Sequence, residues 1–139
     1  MHLDRAQPKL PTLKLFVGNQ EITAETALTT TQIATGMMFR KEMGTNEGML
    51  FVFGRPHRVS FYMKNTLIPL SAAYLDADGT ILEIVDLKPL DETPVEAKSD
   101  QVVFVLEMNQ GWFKRNNIGA GAVMRSEFGT LGDAFKRRQ

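Results

Sequence analysis

Five consecutive apolar residues, Met49-Leu50-Phe51-Val52-Phe53, stand between Gly48 and the turn signals Gly54 and Pro56. A run this short, rich in aromatic and β-branched side chains, leaves no polar face for water and predicts a strand covered on both sides. A second such run, Gln101 to Met108, carries Val102, Val103, Phe104, Val105 and Leu106. Strands of this kind need neighbours in a sheet and layers over both of its faces, which commits the chain to a β-rich domain. At 139 residues there is material for one; a second would leave both short of core.

The remaining elements follow from local patterns. Leu13, Leu15 and Val17 alternate with polar residues, Gly18-Asn19 suits a tight hairpin, and Gln20 to Ala24 returns beside them. Thr29 and Gln32 have the spacing of a capping box, predicting a short helix through Ile33, Ala34 and Met37, with Gly36 near its end. Over Arg58 to Lys64 a strand pattern puts Val59, Phe61 and Met63 on one face and Ser60, Tyr62 and Lys64 on the other. Ala72 to Leu75, the turn Asp76-Ala77-Asp78-Gly79 and Thr80 to Leu87 read as a hairpin. Pro89 and Pro94 mark Lys88 to Asp100 as a loop, Asn109 is positioned to cap a second short helix through Trp112 and Phe113, and Ala122 to Phe128 reads as a last strand. The expectation is an α+β domain, mostly β: a curled antiparallel or mixed sheet, barrel-like, with two short helices. It has an extended arm over 1–11, the domain over 12–128, and a tail over 129–139 whose Lys136-Arg137-Arg138 is solvated.

Composition narrows the function classes. Sixteen basic and sixteen acidic side chains cancel, which removes any global field for steering nucleic acid and disfavours it as a partner. Without cysteine there is no disulfide or thiolate site, and His2 and His57 alone cannot supply a three-histidine zinc centre. No cofactor or metal is expected. The eight methionines read as core filler rather than a copper site. Asp76, Asp78 and Gly79 read as a turn, since the later ligands of a calcium loop are missing. His57, beside Pro56 and two arginines, is expected in an exposed loop. No apolar stretch approaches the length of a membrane span, and Met1 to Pro11 lacks the order of a signal peptide.

Longer stretches carry a family resemblance: Gly36-Met37-Met38-Phe39-Arg40, Glu47 to Phe53, and Phe61-Tyr62-Met63-Lys64-Asn65-Thr66-Leu67-Ile68-Pro69-Leu70, with Asp76 to Gly79, Val105-Leu106-Glu107 and Gly119 to Gly121. From Thr12 to Met124 the chain resembles the prokaryotic domain-of-unknown-function family 192. The resemblance implies membership but no activity. Its members often carry an export signal, so it also implies that an extracytoplasmic home is open. Two positions depart from the family pattern, Ser71 and Ala122, each standing where members usually have an acid.

Seven residues are candidates for a site. Lys64 leaves a strand end, where groups can meet ligand, and Glu107, a charge in an otherwise apolar strand, is its expected partner. Asn65 and Thr66 offer hydrogen bonds but more often build the turn. Arg40 offers a planar fork to an anion, or complements the end of the preceding helix. Tyr62 and Trp112 supply apolar faces. Together they suggest a binding domain for a small polar or anionic ligand, with a saccharide among the candidates, centred on Met63 to Thr66. The alternatives are a hydrolase- or lyase-type enzyme pairing Lys64 with a carboxylate, and a protein-interaction module.

Overall fold

Thr12–Val17 (β1) and Gln20–Ala27 (β2) form the expected hairpin, with Gly18 at φ 56° in the turn between them. A computed structural model describes residues 4–136 of the chain. The first helix, α1 (Thr30–Thr35), opens on the capping box: Gln32 N–H donates to Thr29 Oγ1 at 3.1 Å and Thr29 N–H to Gln32 Oε1 at 3.2 Å. It stops at Gly36, whose φ of 49° favours a residue without a Cβ.

The other strands are β3 (Glu47–His57), β4 (Ser60–Phe61), β5 (Leu70–Leu75), β6 (Ile81–Leu87), β7 (Val95–Glu96), β8 (Val102–Asn109), β9 (Arg125–Ser126) and β10 (Gly129–Thr130). Eight of the ten make one mixed sheet in the order β10-β9-β1-β2-β3-β8-β5-β6, and β4 with β7 forms a separate pair. Every pair is antiparallel except β2–β3, whose connection carries α1. The sheet curls until Thr80 bridges Val123, with Ile81 N–H donating to the Ala122 carbonyl at 2.8 Å. The contact stops short of a ladder, so the domain is a curled, mostly-β α+β fold and not a closed barrel.

Two apolar clusters lie on the two faces. One gathers Leu15, Ile22, Leu50, Leu106 and Trp112; the other gathers Met49, Phe51, Leu70, Tyr74 and Val105. The central strands thus carry cover on both sides, and all six residues of β5 are buried. Five methionines, Met37, Met49, Met63, Met108 and Met124, pack in these clusters.

Several boundaries differ from the sequence reading. β3 continues past Gly54 to His57 through an irregular register, which also breaks the alternation of β8 and sends Val103 to the opposite cluster from Val105. The Arg58 to Lys64 pattern keeps its two faces, but only Ser60 and Phe61 are paired as strand, against β7 in the expected loop. Asn109 ends β8 and caps nothing; the second helix, α2 (Trp112–Arg115), starts after Gly111. A third helix, α3 (Leu131–Phe135), lies in the segment read as tail, with Leu131 and Phe135 in the core. Arg137 and Arg138 lie outside the described residues, as does His2.

Candidate functional site

The α1 crossover, the end of β3 and the segment 58–62 enclose a cavity of about 230 Å³. Phe51, Phe53 and Phe61 form its aromatic wall. Phe51 and Phe61 meet edge to face at 5.0 Å between centroids, and Phe53 meets Phe61 at 6.2 Å. His57 is half-buried rather than an exposed loop residue, and its ring rests edge-on to Phe53 at 4.7 Å. Ala34 and Tyr62, both exposed, line the cavity on its solvent side.

Glu107 is the acid in this lining. The β8 register sets it opposite Met49 on β3 and Ala72 on β5, at the centre of the sheet. Only 4% of the residue is exposed. It enters no side-chain hydrogen bond or ion pair among the described residues, and burial alone pushes its carboxyl up from 4.5 to about 8. Among those residues, the one buried side-chain nitrogen or oxygen that is both sealed from solvent and without a partner is Arg40 Nε. The partnerless Glu107 oxygens must therefore reach open space, and the space this residue adjoins is the cavity.

Neighbouring polar groups are already engaged. Thr66 Oγ1 donates to the Lys64 carbonyl at 3.1 Å and Thr35 Oγ1 to the Thr31 carbonyl at 2.8 Å. Arg58 Nη1 donates to the carbonyls of Ala97 and Lys98. Tyr74, across the same cluster, sends its hydroxyl to the Val95 carbonyl at 3.4 Å. Burial, with Glu83 and Glu107 nearby, raises the Tyr74 hydroxyl well above its ordinary range.

The seven sequence candidates do not converge. Tyr62, Thr66 and Glu107 line the cavity; Arg40, Lys64, Asn65 and Trp112 do not. The expected Lys64–Glu107 pair does not form. Lys64 is exposed and makes no ion pair among the described residues, while Glu107 is buried at mid-sheet against the cavity. Arg40 is committed to Glu25 through Nη1–Oε2 at 2.6 Å and Nη2–Oε1 at 2.9 Å, so its fork is not free for an anion. Burial raises the Glu25 carboxyl, but Arg40, the Leu10 N–H and the Lys9 charge outweigh this and hold it below 4.5. Asn65, at φ 55°, builds the turn by accepting Phe39 N–H on its carbonyl at 2.8 Å. Trp112 is buried in the opposite cluster, with Nε1 on Asn46 Oδ1 at 3.0 Å. Sequence reasoning missed the α1 side of the cavity and His57; Phe61, sharing a face with Val59 and Met63, was the available signal.

A second concavity, about 520 Å³, is lined only by apolar, glycine and proline residues, including Val52, Phe104 and Phe135. It is the larger of the two but brings no polar side chain to a ligand.

The model of domain-of-unknown-function family 192, described as Uncharacterized ACR, matches residues 13–126. The chain belongs to this family. The chain is similar to a solved structure from Sinorhizobium meliloti 1021, described as a "putative transcription regulator", at 29% identity with a TM-score of 0.83, covering 87% of this chain and 98% of that one. A protein of unknown function from Novosphingobium aromaticivorans DSM 12444 is 34% identical with a TM-score of 0.79, covering 84% and 86%. No curated protein matches the sequence. Ser71, one of the two positions expected to depart from the family pattern, accepts Gly111 N–H at 2.9 Å and donates to Asp86 Oδ1 at 2.8 Å. At the other, Ala122 packs against the first cluster.

Proposed function

We propose that the chain is a binding domain for a small organic molecule with a polar group, seated in the cavity over Glu107. The observation that carries this reading is a buried carboxyl, without a protein partner among the described residues, on the wall of a cavity of mixed aromatic and polar lining. An unpaired buried acid costs stability, and folds retain such groups where they meet a ligand. The cavity lies below the roughly 300–1,000 Å³ of drug-sized sites, which suits an occupant on the order of ten non-hydrogen atoms.

An anion on Arg40 and Lys64 draws less support, because Glu25 already neutralises Arg40. A catalytic couple of Lys64 with an acid lacks its second member within ion-pair distance among the described residues. The regulator label of the Sinorhizobium protein has no evident counterpart in helices of four to six residues, too short for a groove-reading element. A protein-interaction role is favoured by one observation: Tyr62, Leu67 and Leu90 are 44%, 42% and 59% exposed. Leu90 N–H binds the Thr66 carbonyl, which holds it beside the same turn.

A thermal-shift screen of sugars, amines, alcohols, carboxylates and phosphates tests the proposal on wild type, Ala34→Phe and Lys64→Ala. A ligand at about a hundred times its Kd adds roughly 2.7 kcal/mol, or about 8 °C here. The expected result is a shift that survives Lys64→Ala and is lost in Ala34→Phe, which blocks the cavity from the exposed side. A shift lost only in Lys64→Ala would move the site to the outer turn. No shift with any class would refute the reading.

A further inference from the structure

The polar requirements of the cavity are one-sided. The Thr35, Thr66 and Arg58 side chains already donate to backbone carbonyls, and His57 Nδ1 lies 3.3 Å from the Arg55 carbonyl. Glu107 alone offers unfilled acceptors from a buried position. Once ionised that carboxylate is acceptor-only, and a ligand that satisfies it in this state brings N–H or O–H donors. Phe51, Phe53 and Phe61 add aromatic rings to the wall, which attract cations more than anions when water is excluded, and the one cation of the lining, Arg58, is turned to the Ala97 and Lys98 carbonyls.

Resting on the binding role proposed above, we infer that the ligand is an organic cation: a protonated amine with a compact apolar body, its N–H groups donating to the Glu107 carboxylate. Among the alternatives, a carboxylate or phosphate would face the acid directly, and a neutral alcohol would leave the aromatic wall unused electrostatically. Proton balance follows from the empty state. There Glu107 holds a proton at neutral pH because burial raises it to about 8. Seating an ammonium beside the ionised carboxylate therefore releases one proton to the buffer. The other titratable groups around the cluster are His57 on β3, Arg58 and Tyr62 on the covering segment, and Tyr74 on β5; α1 contributes none to the lining.

The test is calorimetric titration of the full chain with phenethylamine, phenethyl alcohol and phenylacetate, at about pH 6 and about pH 7.5, in buffers of differing ionisation enthalpy. One-proton linkage predicts that the amine binds about 25-fold tighter at the higher pH, with close to one proton released at pH 6 and fewer at pH 7.5, while the alcohol binds at least about tenfold more weakly and without pH dependence. Glu107→Gln should remove the pH slope and His57→Gln should keep it. Ala34→Phe, an exposed substitution that leaves the core untouched, should abolish binding. If the alcohol or phenylacetate binds as tightly as the amine and Ala34→Phe abolishes it, the cavity role stands and the cation assignment falls. If none of the three binds, or binding survives Ala34→Phe, both fall.

Discussion

Glu107→Gln is expected to stabilise the protein at neutral pH, which few substitutions at a mid-sheet position would do. Below about pH 4.5 the carboxyl is protonated in both the folded and the unfolded chain, so burial carries no ionisation penalty. Above it the unfolded chain releases the proton while the folded chain keeps it until about pH 8. The folded state then binds one more proton than the unfolded state, and stability falls as pH rises by about 1.4 kcal/mol per unit. At pH 7 the accumulated penalty is about 3 kcal/mol, and glutamine, which never ionises, escapes it. Acid and amide are neutral and nearly isosteric in the fold, so their other terms largely cancel. Thermal unfolding of both proteins from pH 4 to 8 is the assay. The melting temperatures should coincide near pH 4 and separate to about 10 °C in favour of Glu107→Gln at pH 7. A gap independent of pH, or a less stable glutamine variant at pH 7, would mean that the folded chain holds an ionised, partnered carboxylate in place of a neutral one.

Three further outcomes can be read from urea midpoints. Arg40→Ala should cost roughly 2–4 kcal/mol because it strands a largely buried Glu25, whereas Lys64→Ala should stay within about 0.5 kcal/mol; the opposite ranking would restore Lys64 as the structural cation. The Glu25 carboxyl is held below 4.5 in the fold, so its contribution is present above that pH and lost as pH falls through the lowered value; the difference between wild type and Glu25→Gln should shrink over that acid range. Gly48→Ala should cost about 1–3 kcal/mol, since a Cβ there would sit 2.5 Å from Met108 Sδ and 2.7 Å from the Glu107 carbonyl oxygen, while Gly119→Ala, with nothing within 4 Å, should be neutral.

What could be read from the sequence was what neighbours along the chain decide. Gly18-Asn19, the Thr29–Gln32 box and the Asp76 turn, whose Oδ1 accepts Asp78 and Thr80 N–H, are set within a few residues and appear as expected. The double cover of Met49 to Phe53 was legible because no polar residue interrupts the run. Arg40 and Glu107 were legible only as candidates, since their surroundings depend on distant pairings. The β2–β3 crossover sets Glu25 against Arg40, and the β3–β8–β5 register fixes Glu107 in mid-sheet. The helical spacing of Leu131 and Phe135 was hidden by the polar and charged residues around it.

The pairing of β1 with β9 has a consequence during synthesis. Phe16 waits for Arg125 and Leu15 for Ser126, which leave the ribosome about 110 residues later. At ordinary elongation rates that delay is between about 5 and 20 s. Throughout it the outer rim of the amino-terminal hairpin has no native partner and presents open backbone N–H and C=O groups, a template for pairing with another nascent chain. Only Lys14 and Thr12 are polar along β1 itself. Yield at high expression should therefore depend more on how quickly residues 125–130 arrive than on the stability of the finished sheet.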